Sequence, residues 1–150
     1  MQILQEMNKY GHEQIVFAND EITIYLNSER LEFDVPPQII DDRTMVPLRV
    51  IFEALGAEVE WNEKHQMIWG RNDESVIGLQ IDRLEMTIAK YNIDVDTPYS
   101  IETITLDVAP ILLNGRTLVP IRAVSEAFGA TVNWIEDTKT VEITTKNFNN

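Results

Sequence analysis

A chain of 150 residues with 44% apolar and 25% charged content suits one soluble globular domain, or two small lobes that share a core. Its formal net charge of −13 repels phosphate backbones and anionic membrane surfaces, which excludes nucleic acid as a partner and favours cationic ones. Cysteine is absent, so disulfides, cysteine–zinc sites and thiol nucleophiles are excluded together, and no apolar run approaches the ~18 residues of a membrane span.

The first ten residues, Met1 to Tyr10, lack a basic segment followed by an apolar one. The expectation is therefore no signal peptide: an intracellular chain, or a mature or excised fragment. Residues 1–21 read as an N-terminal extension. Ile22, Ile24 and Leu26 alternate, as do Leu31, Phe33 and Val35, which predicts two strands turning through Asn27–Arg30. Asp41-Asp42 is a turn. Pro47 suits the first position of a helix, where no amide hydrogen is needed. Behind it Leu48, Ile51, Phe52 and Leu55 share one helical face, and Gly56 ends the helix. Val59-x-Trp61 and the residues around Ile68 are strands across a polar turn. Val76–Ile81 and Leu84–Ile88 form a hairpin through Asp82-Arg83. A stretch of about Ala89–Thr103 (AKYNIDVDTPYSIET) reads as an inserted loop.

The remainder repeats what came before. Residues 110–134 match residues 37–61 at a constant offset of 73 without a gap. Asn114-Gly115 is a strong hairpin signal at the place of Asp41-Asp42. Pro120 starts a second helix, with Ile121, Val124, Ser125 and Phe128 inward and Gly129 as its stop. Val132-x-Trp134 and a strand around Val141 and Ile143 follow, and residues 146–150 form a frayed tail. Two units, 22–74 and 75–145, are each marginal alone and should pack together. The expected fold is α+β: two pseudo-symmetric repeats, each with antiparallel strands packed on one short helix.

The run G-R-T-L-V-P-I-R-A-V-S-E-A-F-G-A-T-V-N-W, Gly115 to Trp134, and its counterpart Arg43 to Trp61 resemble the copper amine oxidase N-terminal domain family. The resemblance covers roughly residues 22–145. It implies an antiparallel sheet wrapped on a helix, and a non-catalytic stalk or attachment module of bacterial surface and secreted proteins. The intervening Ala89–Thr103 stretch departs from the family pattern. The oxidase reaction itself needs three histidine ligands and a modified tyrosine. Only His12 and His65 are present, and no Asn-Tyr-Asp/Glu triplet exists.

No catalytic residue, metal ligand set or cofactor site emerges. There is no GxSxG elbow, phosphate-binding glycine loop or HExxH, and Asp94-x-Asp96 lacks the rest of a calcium loop. Arg43, Arg49, Glu53 and Trp61 recur as Arg116, Arg122, Glu126 and Trp134, so they are assigned to the architecture of each unit. Arg49 and Arg122 sit in a first helical turn, against the helix dipole, so each should find a tertiary partner such as a carboxylate or strand carbonyl. Unshared residues are the better binding candidates. His65, Met67, Trp69 and Arg71, spaced by two, should line one strand face; their counterparts Thr138, Thr140, Glu142 and Thr144 are polar. An exposed tryptophan beside methionine and arginine suits a contact surface, for instance stacking on a sugar ring. The same face could instead cover the other repeat, the insertion or a homodimer mate. Tyr91, Asp94, Asp96 and Tyr99 in the insertion suit carbohydrate or peptide recognition, or simply pin the loop.

Three functions remain. One is a non-catalytic surface stalk or attachment module, with cell-wall polysaccharide as the candidate partner. The second is an intracellular protein using the same fold to bind a protein or small molecule. An enzyme of unknown type ranks last.

Overall fold

The computed structural model describes residues 3–7, 13–17, 22–92, 94–146 and 148. A hairpin of β1 (Ile3–Met7) and β2 (Glu13–Phe17), with Gln5 opposite Ile15, forms a two-stranded sheet of its own. β3 (Thr23–Leu26) and β4 (Glu29–Arg30) follow, turning through Asn27 and Ser28, both at positive φ. The strand expected through Leu31, Phe33 and Val35 is not formed: the ladder stops at Arg30. Leu31 and Phe33 still pack on the core, but the chain bends at Asp34–Val35, and Pro36 and Pro37 have no amide hydrogens with which to continue a ladder.

β5 (Gln38–Ile40) turns through Asp41-Asp42 into β6 (Arg43–Pro47), and β12 (Ile111–Leu113) turns through Asn114-Gly115 into β13 (Arg116–Pro120). All four turn residues have positive φ, the signature of the tight hairpin turn that aspartate, asparagine and glycine tolerate best. The two hairpins join edge to edge, in the order β12-β13-β6-β5. Val119 lies opposite Val46, Leu118 opposite Pro47 and Pro120 opposite Met45. Val46 and Val119, which align at the offset of 73, thus face each other, and the flanking pairs are crossed about them.

From each hairpin a seven-residue helix departs, α1 (Leu48–Ala54) or α2 (Ile121–Ala127). Pro47 and Pro120 are the N-caps, one residue earlier than the sequence reading placed them. They end the preceding strand and begin the helix at once, and a proline serves both roles because neither position needs its amide. At the other end Gly56 and Gly129 adopt φ of +83° and +90°. Ala57 N–H donates to the Phe52 carbonyl and Gly56 N–H to that of Glu53; Ala130 and Gly129 repeat this with Ser125 and Glu126. Both helices thus end in a complete Schellman motif.

The outer strands make two further sheets. One runs β11-β10-β9-β8-β7, from β7 (Glu58–Asn62), β8 (Met67–Arg71), β9 (Ser75–Gln80), β10 (Glu85–Lys90) and β11 (Ser100–Thr105). The other runs β14-β15-β3-β4, from β14 (Thr131–Ile135) and β15 (Thr140–Thr144) with β3 and β4. Two expectations need correction. The sheets are not wholly antiparallel, since β15 pairs with β3 in parallel, Val141 opposite Ile24. Nor is Ala89–Thr103 one loop: Ala89 and Lys90 end β10, and Ser100 to Thr103 begin β11, leaving residues 91–99 between strands. The β-branched run Ile101, Thr103, Ile104, Thr105 favours an extended ladder over a loop.

The helices and sheets enclose one main core. It draws on Ile24, Phe52, Ile68 and Ile77 and equally on Ile121, Val124, Val141 and Ile143. Phe52 and Phe128 meet edge to face across it, ring centroids 5.5 Å apart. Gly70 is what lets them in: a Cβ there would lie 2.3 Å from a Phe52 ring carbon. No helix is long and apolar enough to cross a membrane among the described residues.

Candidate functional site

Two surfaces of the β11-to-β7 sheet have the shape of a contact site. The first is its outer face. In β8, Ile68 and Gly70 point into the core while Met67, Trp69 and Arg71 point out. His65 does not join them. It lies in the turn before the strand, its N–H held by Asn62 Oδ1 at 3.1 Å and its carbonyl by Gln80 Nε2 at 2.9 Å. Gln66 at positive φ breaks the alternation there. Trp69 packs its ring against Gly78, its cross-strand neighbour: a Cβ at Gly78 would sit 2.4 Å from ring atom Cζ3 and 2.9 Å from Cε3. The indole thus rests against the sheet, and 37% of the residue stays exposed.

The insertion candidates lie apart from that row. Tyr91 N–H donates to the Glu74 carbonyl and Tyr99 N–H to that of Lys90, so backbone bonds hold both ends of the 91–99 segment. Asp94 and Asp96 are exposed between them, and Tyr99 is exposed at the point where β11 begins. Lys146 bonds Glu74 at 2.6 Å close by. That bond holds the Glu74 carboxyl below its ordinary range and pushes the Lys146 ammonium up.

The second surface is a groove of about 950 Å³ between β11 and α2. Its apolar lining includes Ile88, Ile104, Leu106, Ala123, Val132 and Val141. Charged groups stand around it in pairs. Arg43 Nε donates to Asp107 Oδ2 at 2.9 Å, and Lys139 Nζ lies 3.1 Å from Glu136. Arg122 Nη1 donates to the Val132 carbonyl at 2.9 Å and reaches Glu126 at 3.3 Å. Trp134 borders the groove and is 38% exposed. Opposite, Arg116 Nε binds Asp34 Oδ2 at 2.9 Å, in the same relation as Arg43 to Asp107; this bond draws the Asp34 carboxyl below its ordinary value. Arg49 and Glu53 are exposed on α1 with no hydrogen bond or ion pair among the described residues, and Trp61 stands half-exposed at the sheet edge. Among the described residues no three histidine, aspartate or glutamate side chains cluster so as to hold a metal ion.

A scan against family models matches residues 25–143 to the copper amine oxidase N-terminal domain. The chain belongs to the copper amine oxidase N-terminal domain family. It is also 30% identical over 125 residues to a protein from Brevibacillus choshinensis named "Protease inhibitor". That match takes in 81% of this chain but 34% of the relative, so the chain spans about a third of its length. No solved structure matches.

Within this copper amine oxidase N-terminal domain, the groove was missed by reasoning from sequence because Trp134, Arg122 and Glu126 recur in both units and were set aside as architecture. A usable signal was nevertheless present. Of the aligned pairs, Phe33 gives way to Leu106, Val50 to Ala123 and Ile68 to Val141. All three smaller residues line the groove. Loss of side-chain volume at converging positions opens space that close packing would otherwise fill.

Proposed function

We propose that this chain is a non-catalytic attachment module built of two tandem copper amine oxidase N-terminal units, and that it engages cell-wall polymer through the outer face of its five-stranded sheet. The observation that carries this is the seating of Trp69. An indole already held against Gly78 loses little further freedom on binding, which suits a platform for a sugar ring. Met67 and Arg71 flank it on the same strand face. Membership of a family of non-catalytic domains supports the reading.

The test is co-sedimentation of the purified chain with Gram-positive sacculi, for wild type and Trp69→Ala. Saturable binding lost in the variant is the expected result. Binding that survives moves the site off this face. No binding removes wall attachment as the function.

The groove favours a second reading, a module that binds a protein or small molecule. The relative named as a protease inhibitor is consistent with a protein partner.

A further inference from the structure

We infer that β11 is a docking edge, at which an extended peptide rich in apolar and basic side chains adds as a sixth strand over the groove. This rests on the second reading above and is independent of wall attachment.

The backbone pattern comes first. β11 is the outermost strand of its sheet and, among the described residues, pairs only with β10. Leu106 N–H donates to the Leu84 carbonyl, two residues whose pairing continues the β10–β11 register. In an antiparallel ladder the bonded pairs alternate, so Ile104 and Glu102 turn their backbone groups toward β10. Ile101, Thr103 and Thr105 turn theirs away, and among the described residues no backbone bond outside the sheet uses them. Three N–H and three C=O groups in a row are a template for another strand.

The other edges of the three larger sheets are blunted. β7 carries Glu58 and Glu60, β5 and β12 have three residues each, and β4 has two. On β14, Arg122 already occupies the Val132 carbonyl. β11 is six residues long and carries no lysine, no proline and a single charge, Glu102, with Ile101 66% exposed. An edge this long with a single charge invites association unless it is used.

The groove supplies what an added strand needs beside it. Glu102 and Ile104 point to the inner face of the sheet and line the groove. Alternate side chains of an incoming strand would follow them, over Ala123, Val132 and Trp134. Charge then selects the occupant. The groove is lined by five carboxylates (Asp42, Glu102, Asp107, Glu126 and Glu136) against Arg43, Arg122 and Lys139, and each of those three cations is already paired. A second copy of the chain is the wrong partner, since it would set two bodies of net charge −13 against each other with Glu102 at the seam. Apolar side chains for the floor and lysine or arginine for the rim fit instead.

The experiment measures binding of a labelled peptide of alternating valine and lysine, with alternating valine and glutamate as control, followed by amide hydrogen exchange. Wild type should bind the basic peptide alone and weaken with salt, and the Ile101, Thr103 and Thr105 amides should slow on binding. Thr103→Pro removes one outward N–H without touching the β10 ladder and should weaken binding about tenfold or more. Leu106→Phe with Ala123→Val refills the groove with side chains that the first unit carries and should also weaken it. If neither peptide binds, or if the acidic one binds equally well, the inference fails. Binding that persists in both variants overturns strand addition while leaving a protein-binding role intact. A concentration-dependent dimer abolished by Thr103→Pro would make a second copy the occupant and overturn the peptide.

Discussion

The hydroxyl of Ser125 is buried in α2 and has no hydrogen-bond partner among the described residues. Its aligned position in α1 is Phe52, which contacts Phe128. An unpaired buried hydroxyl costs more than it returns. Ser125→Ala is therefore expected to leave stability unchanged or raise it by up to about 1 kcal/mol in urea titration. Charged surface pairs act differently, through pH. Asp34 and Glu74 are held below their ordinary values by Arg116 and Lys146, so their contribution is present above the unfolded carboxylate value and is lost as pH falls through the lowered one. Lys146 is raised, so its contribution is present below the ordinary lysine value and is lost as pH rises through the raised one. Both limbs should be shallow and screened by salt, because the pairs are solvent-exposed. Thermal melts across pH should show Asp34→Asn with Glu74→Gln flattening the acid limb.

At the scale of the element, each helix is too short to persist by propensity and is defined by its ends. Proline begins it and a glycine in the left-handed region closes it. No atom lies within 4 Å of a Cβ built at Gly56, so alanine there meets conformational strain without a clash. Gly56→Ala is expected to cost roughly 1–2 kcal/mol and Gly56→Asn less, measured by chemical denaturation. An equal cost for both would show that the αL requirement is not what glycine supplies. Strand β8 illustrates the opposite dependence. Its inward row, Ile68 and Gly70, answers to the core, and its outward row, Met67, Trp69 and Arg71, is free to serve a partner.

For the whole molecule, the decisive feature is that neither half closes a core alone. β3 pairs with β15 as well as β4, β6 with β13 as well as β5 and β8 with β9 as well as β7, and the buried cluster mixes residues from both halves. Unfolding should be a single cooperative transition. A fragment of residues 22–74 should lack the native circular dichroism and show no cooperative melt; a folded fragment would mean that the junctions are dispensable.

Much of this architecture was legible in the sequence, because local chemistry decides it. The Pro-to-Gly bounds of both helices, the paired turns, the inward and outward alternation of β8 and the α+β class all follow from residue types at short range. What stayed hidden depends on residues far apart in the chain. The parallel seam between β15 and β3, the end of the ladder at Arg30 and the conversion of an insertion into an edge strand are settled by which strands find partners. Trp134 lining a groove was invisible for the same reason: exposure is a property of what packs alongside, and repetition in the sequence does not report it. The sequence determined which segments bend, coil or extend, through steric limits on single residues. Only the tertiary structure decided which edges were paired and which surfaces were left open, because those outcomes depend on packing between segments far apart in the chain, as Thr23 and Thr140 are.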